Sequence, residues 1–286
     1  MWLSWRWALG ITVVLGLVGT GLRKRPPAVV RGAHQALIDE LTRMFLLYTL
    51  WRICGRLSVM GLERAMARGE AVWRLERWLH LPNEATLQGW VLGHGLVVQA
   101  ANVYYAVVHA PAAGIFLAWM FFAHRDRYPA ARNAFALTTF ACLVIQLVPV
   151  APPRFFPEFG FVDTAASYGQ SVYSATLGPE SFNQLSAMPS VHVAWAVIVG
   201  WFSWRLGVSR WRWLGVAHAV ATVWVVTVTA NHWLADGLVA AVLFGASWQV
   251  ARWWEQRPRR EPVLAASVVG TGSGETHWAA TRGEGR

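Results

Sequence analysis

The sequence predicts an all-α protein of one domain, a polytopic transmembrane helix bundle. Two observations carry that prediction. Of 286 residues, 55% are hydrophobic and only 14% are charged, where a soluble domain has about a quarter charged; the mean hydropathy is +0.35. The apolar residues also fall into runs close to the ~20 residues a helix needs to cross the hydrocarbon core. This composition excludes a disordered chain, a collagen and a disulfide-stapled secreted domain. Cys54 and Cys142 lie in or beside apolar runs and read as buried small hydrophobes.

Residues 1–32 read as an N-terminal transmembrane anchor with a basic flank. The apolar run 7–22 is followed at once by Arg23, Lys24 and Arg25. A cleaved secretory signal carries its charge before the apolar core, so a retained anchor fits better. Residues 33–89 are harder to read. The apolar stretch 46–51 has Arg43 before it and Arg52 and Arg56 after it. An irregular spanning helix and an amphipathic helix lying at the interface both satisfy that pattern.

Residues 90–254 carry the main bundle. Clear apolar runs cover 90–108, 134–150, 191–204 and 213–229, and shorter or interrupted ones cover 112–123 and 234–254. Pro111 falls where one helix must stop and the next begin, which predicts a tight helical hairpin. Many of the 19 tryptophans, such as Trp2, Trp5, Trp7, Trp211, Trp213, Trp253 and Trp254, lie near predicted helix ends, as interfacial anchors do. Residues 255–286 are rich in Gly, Ala, Ser and Thr and read as a disordered cytoplasmic tail.

The net charge of +10 is distributed informatively. Arg125, Arg127 and Arg132 share one loop, Arg205, Arg210 and Arg212 another, and Arg257, Arg259 and Arg260 follow the last run. Basic residues gather on the cytoplasmic side, so these segments and the C-terminus face the cytoplasm of a multi-pass cell-membrane protein. The charge thus sets orientation and predicts no nucleic-acid partner. The long loop 151–187 has one basic residue, Arg154, against Glu158, Asp163 and Glu180, and reads as extracytoplasmic.

Three polar clusters converge on that outer side: Ala151-Pro152-Pro153-Arg154, the stretch from Ser186 to His192, and the stretch from Asn231 to Gly237. Ionisable groups at membrane depth are costly and mark function. His232 and Asp236 are four apart, so on a helix they share a face. A carboxylate there can accept the Nδ1–H and leave Nε2 free as a nucleophile. Pro189 reads as a first-turn residue of the next helix, with Ser190 and His192 in its opening turn. A helix N-terminus suits a phosphate, Ser190 can donate to it, and His192 can protonate a leaving alkoxide. Arg154 offers a bidentate fork for phosphate oxygens. Taken singly, each has a plain structural reading as a cap, a snorkelling histidine or a juxtamembrane arginine; the combination favours chemistry.

Weaker candidates surround these. Asp163, Asn183 and Gln184 lie in the outward loop and are candidates for contacting an acceptor hydroxyl, although loop polarity explains them too. Asn102, Tyr105 and His109 fall three and four apart on one helical face. They either line a head-group cavity or form a helix–helix hydrogen-bond seam. His218, within its helix, reads as a packing histidine. No histidine pair on facing helices is singled out as haem ligands.

These residues resemble a family. Ser186–His192 looks like the second signature of the type 2 phosphatidic acid phosphatase superfamily, and His232–Asp236 like its third. The resemblance spans roughly residues 90–254 and implies a six-helix phosphatase-type core, to which the anchor helix is added. It also implies phosphoester chemistry without a metal or cofactor, with His232 attacking phosphorus to form a phosphohistidine, Asp236 orienting it and His192 as general acid. Two positions depart from the pattern. The first signature places a Lys seven residues before its Arg, where this chain has Leu147; the third places an Arg six before its histidine, where this chain has Val226. The stretches 152–154 and 160–164 look more like the branch containing inositol phosphorylceramide synthases. That branch implies transfer of a phosphorylated head group from a lipid to an alcohol such as inositol. The alternatives are a lipid or polyprenyl phosphate phosphatase and a non-catalytic lipid-binding or transport protein.

Overall fold

The helices start where the sequence provides caps and stop where it withdraws them. In the computed structural model, which describes residues 4–24, 29–57, 61–169 and 184–256, Ser4 accepts the backbone N–H of Trp7 and opens α1 (Trp5–Arg23). α2 (Val29–Leu57) lies along α1, with Thr12 and Thr49 in hydroxyl contact at 3.4 Å and Arg23 paired to Asp39 at 2.8 Å. α3 (Leu62–Trp78) and α4 (Glu84–Leu92) follow, and Asn83 caps α4 by accepting from Ala85 and Thr86. Then come α5 (Gly95–Val107), α6 (His109–Ala123) and α7 (Tyr128–Gln146). Two 3-10 turns, Pro153–Phe155 and Pro157–Phe159, and the short α8 (Thr164–Tyr168) occupy the long loop. α9 (Val191–Leu206), α10 (Arg212–Val228) and α11 (Leu234–Gln256) complete eleven α-helices, with no strand among the described residues.

α1 and α11 are long and apolar enough to cross a membrane, and α5 with α6 makes a third candidate span, bent by 50° at its break. α9 and α10 are apolar but shorter. Along α1 the buried residues are Ala8, Thr12 and Gly19, while Trp7, Val14 and Leu17 are exposed, as lipid-facing side chains are.

Several helix limits differ from those read in the sequence. The run 90–108 is not one helix: α4 ends at Leu92, capped by Gly93, and α5 begins at Gly95. The break to α6 comes at Val108, ahead of Pro111, which sits in the first turn of α6 where a helix has no need of its N–H. α7 ends at Gln146, so Val150 leaves the helix and forms a parallel bridge with Ser186. α9 begins at Val191 with Ser190 as N-cap, which places Pro189 before the helix rather than in its first turn. The interrupted run at 234–254 is one continuous helix. Cys142 is buried with a free thiol. The side chain of Cys54 and the tail 257–286 lie outside the described residues.

α7, α9, α10 and α11 pack around an apolar core that includes Phe116, Phe135, Ile198 and Phe202 on one side and Val193, Val225 and Val228 on the other. At one end of this core an aromatic group of Phe156, Phe161 and Trp233 gathers α3, the long loop and the start of α11. Gly69 of α3 makes that approach possible, since a Cβ there would lie 2.7 Å from the Ala151 carbonyl and from the Phe156 ring. On the α2 side, Glu40 is buried and accepts from Tyr128 Oη at 3.0 Å and from Arg132, tying the α1–α2 hairpin to α7.

Candidate active site

The three polar clusters meet at the aromatic end of the core. Their loops are held by backbone bonds: Val150 donates to Leu185 at 2.8 Å, Ala187 to Val150 at 3.1 Å, and Ser190 to Asp236 at 3.3 Å. Gln146 adds a side-chain bond to the Pro189 carbonyl at 2.9 Å. Between α10 and α11 the chain turns through Ala230 at φ 52, an unfavourable conformation for a side-chain-bearing residue that is found at constrained sites. Within that turn both Asn231 and His232 donate their backbone N–H to Val226, and the Ala230 carbonyl accepts from Arg154 at 3.0 Å.

His232 is buried. Its Nδ1 lies 2.7 Å from the Ala187 carbonyl, and the Asp236 Oδ2 is farther away, at 3.4 Å. A carbonyl can only accept, so Nδ1 carries the proton and Nε2 keeps its lone pair. The four-residue spacing predicts Asp236 for that orienting contact; here the backbone takes the shorter one. Asp236 accepts at Oδ2 from Trp233 N–H at 2.8 Å, the N3-to-N-cap half of a capping box. Burial holds His232 below its ordinary 6.5, the Ala187 carbonyl acts in the opposite direction, and the Arg154 charge lowers it further. The imidazole is therefore neutral at physiological pH.

His192 Nδ1 lies 3.4 Å from His232 Nε2. Tyr105 and His109 both face His192, with ring centroids 4.4 Å and 4.6 Å away. His109 is buried with its Nδ1 3.3 Å from the Tyr105 carbonyl. Ser190 is buried and its Oγ caps α9 by accepting from Val193 N–H at 3.2 Å, leaving its O–H able to donate. Arg154, only 5% exposed, reaches the same place; it donates to Asn231 Oδ1 and to the Gln184 carbonyl at 3.1 Å, with Asp163 at 4.0 Å. Those contacts fix the plane of the guanidinium beside the two histidines.

The weaker candidates divide. Asp163 caps α8 by accepting from Ala166 at 3.0 Å and flanks Arg154. Gln184 meets Arg154 through its backbone. Asn102 is engaged elsewhere, donating to Thr164 and Gly169 carbonyls and accepting from Thr164 Oγ1 at 2.8 Å. That geometry makes it a tie between α5 and the long loop. Asn183 lies outside the described residues. His218 is paired through Nδ1 with Tyr104 Oη at 2.6 Å. Leu147 and Val226 contribute no charge, and Val226 is buried.

Two acidic residues beside the site escaped sequence reasoning. Glu76 of α3 and Glu84 of α4 are fully buried against the first turn of α11. Glu76 Oε1 accepts from Ala235 N–H at 2.7 Å and Glu84 Oε1 from Leu234 N–H at 3.2 Å. Arg77 donates to Glu84 at 3.0 Å and lies 3.8 Å from Glu76. Nothing in the local sequence separates them from interfacial charges, because their partners are about 150 residues away in the chain. Among the described residues no group of three or more His, Cys, Asp or Glu is arranged to hold a metal ion.

A family model described as PAP2 superfamily matches residues 70–250, a stretch that contains both histidines, Arg154, Asp236, Glu76 and Glu84. The chain belongs to the PAP2 superfamily. No curated protein and no solved structure matches it. Superfamily membership supports lipid phosphoester chemistry of the phosphatase type, and the apolar helices are consistent with a membrane protein.

Proposed function

We propose that this PAP2-superfamily member is a membrane phosphotransferase that moves a phosphorylated head group from a lipid to an alcohol such as inositol, at the extracytoplasmic face. The observation that carries the reading is geometric: His232 Nε2 faces His192 Nδ1 at 3.4 Å, with the little-exposed side chain of Arg154 in the same site. In the first step the Nε2 lone pair forms a bond to phosphorus while the bond from phosphorus to the lipid oxygen breaks. His192 gives that oxygen its proton. The phosphohistidine is then resolved by the acceptor hydroxyl, which bonds to phosphorus as the P–N bond breaks and passes its proton back to His192. Arg154 offsets charge on the non-bridging oxygens, with Ser190 donating a further hydrogen bond.

The preference for transfer rests on charge. A phosphodiester carries one negative charge, whereas a phosphomonoester carries about 1.5 to 2 near neutral pH. With Leu147 and Val226 where cations stand in the superfamily's signatures, Arg154 is the guanidinium beside the histidines, which suits the diester. The second reading, hydrolysis of a lipid phosphate, draws on superfamily membership itself.

The test uses purified protein in detergent micelles. Phosphatidylinositol and phosphatidic acid are supplied as donors, each with and without inositol or a long-chain alcohol, and products are followed by phosphorus NMR. A product that needs the added alcohol, a new phosphodiester from phosphatidylinositol or a new phosphomonoester from phosphatidic acid, supports transfer. Inorganic phosphate from phosphatidic acid as the sole product supports the phosphatase reading. Lipid binding without turnover of either donor overturns both.

A further inference from the structure

We infer that Glu76 and Glu84 are positioning residues that hold His232 in register through the first turn of α11, an inference that rests on His232 being the nucleophile. Three backbone N–H groups at that helix start, those of Trp233, Leu234 and Ala235, are taken by Asp236, Glu84 and Glu76 respectively, at 2.8, 3.2 and 2.7 Å. His232 immediately precedes them. Its ring is held by the Ala187 carbonyl, while its backbone is held from one side by Val226 and from the other by this carboxylate clamp.

Capping a helix start needs one short polar side chain from the chain just before it. Here two glutamates come from separate helices and are fully buried, where an uncompensated charge is heavily penalised. Part of that cost is offset by Arg77, which donates to Glu84. Among the described residues no N–H or O–H group reaches the buried Glu76 Oε2 or Asp236 Oδ1, so neither oxygen has a donor to accept from. Two carboxyl groups facing each other in a buried place require a proton between them, and the α11 N-terminus favours the one that stays ionised. Glu76 faces Glu84, and burial first, then that neighbour, raise it above the ordinary carboxylate range, so it is a neutral acid that donates to Glu84. The clamp thereby joins α3, α4 and α11 at the second and third residues after the nucleophile. A shift of about 1 Å in a reacting group costs on the order of 100-fold in rate without touching substrate contacts.

The experiment measures release of fluorescent diacylglycerol from fluorescent phosphatidylinositol and phosphatidic acid in mixed micelles, each with inositol or a long-chain alcohol as acceptor, by wild type, His232→Ala, Glu76→Ala, Glu76→Gln and Glu76→Asp. Glu76→Ala is expected to lower kcat by about 10–100-fold with KM within about twofold, because Arg154 and the α9 N-terminus stay in place. Gln reproduces the shape and hydrogen bonds of the neutral acid and restores most of kcat. Asp is one methylene short of Ala235 and does not. The Gln–Asp difference decides the matter if the Ala variant is not recovered as a monodisperse protein. Wild-type kcat in the Asp or Ala variant, or equal losses in Gln and Asp, overturns the inference alone. No turnover by wild type, or full turnover by His232→Ala, overturns the reading beneath it and the inference with it.

Discussion

His232 Nε2 and His192 Nδ1 face each other at 3.4 Å, from residues 40 apart in the chain. The Ala187 carbonyl on the far nitrogen of His232 fixes which of its atoms carries the lone pair. In the proposed reaction the pair supplies the nucleophile and the proton carrier.

Replacing His232 by Ala is expected to abolish turnover and any acid-labile phosphoenzyme trapped with labelled donor. Replacing His192 by Ala should lower kcat by about 10²–10⁴-fold, the range for a lost general acid–base. Phosphoenzyme formation in the His232→Ala protein would remove the nucleophile assignment.

Arg154 is held by Asn231 and by the Gln184 carbonyl, so its fork is preset. Arg154→Lys keeps the charge but has no fork to make both contacts while facing a phosphate. A fall in kcat/KM of about 100-fold is expected, equivalent to about 2.7 kcal/mol of transition-state stabilisation. Asn231→Ala, which loosens the guanidinium without removing it, should cost less. Lysine at wild-type kcat/KM would show that the point charge suffices.

Gly69→Ala places a methyl group 2.7 Å from the Ala151 carbonyl. Since that partner is backbone, α3 must move, and overpacking of this kind costs about 1–3 kcal/mol. The melting temperature in detergent should fall, and kcat with it, because α3 carries Glu76. An unchanged melting temperature would mean that α3 is free to shift.

Glu76 titrates above its ordinary 4.5, through burial first and then Glu84, against the opposing Ala235 N–H. The folded protein keeps a proton that the unfolded chain releases, so folding binds protons over this interval. This group's contribution is present at low pH and is lost as pH rises above the ordinary carboxylate range. Melting temperatures between about pH 5 and pH 8 should fall less steeply in Glu76→Gln than in wild type. Parallel slopes would show that Glu76 is ionised in the folded state.

Composition and hydropathy determined that the chain is helical and suited to a membrane, since apolar runs must be hidden from water wherever they lie. The short-range motifs were legible as well: His232–Asp236, Ser190–His192 and Arg154 announce their chemistry by residue type and spacing, and the family match covers the stretch that holds them. Helix ends were not legible at 93 and 108, because a hydropathy run does not register a cap or a bend inside an apolar stretch. The division of labour around His232 was hidden too. Four-residue spacing pointed to Asp236, but the tertiary fold brought the Ala187 carbonyl closer. Glu76 and Glu84 carried no signal at all, because a glutamate in an amphipathic segment looks the same facing solvent or facing a helix end. What decided their role was the docking of α3 and α4 onto α11, a contact between distant parts of the chain that local periodicity cannot encode.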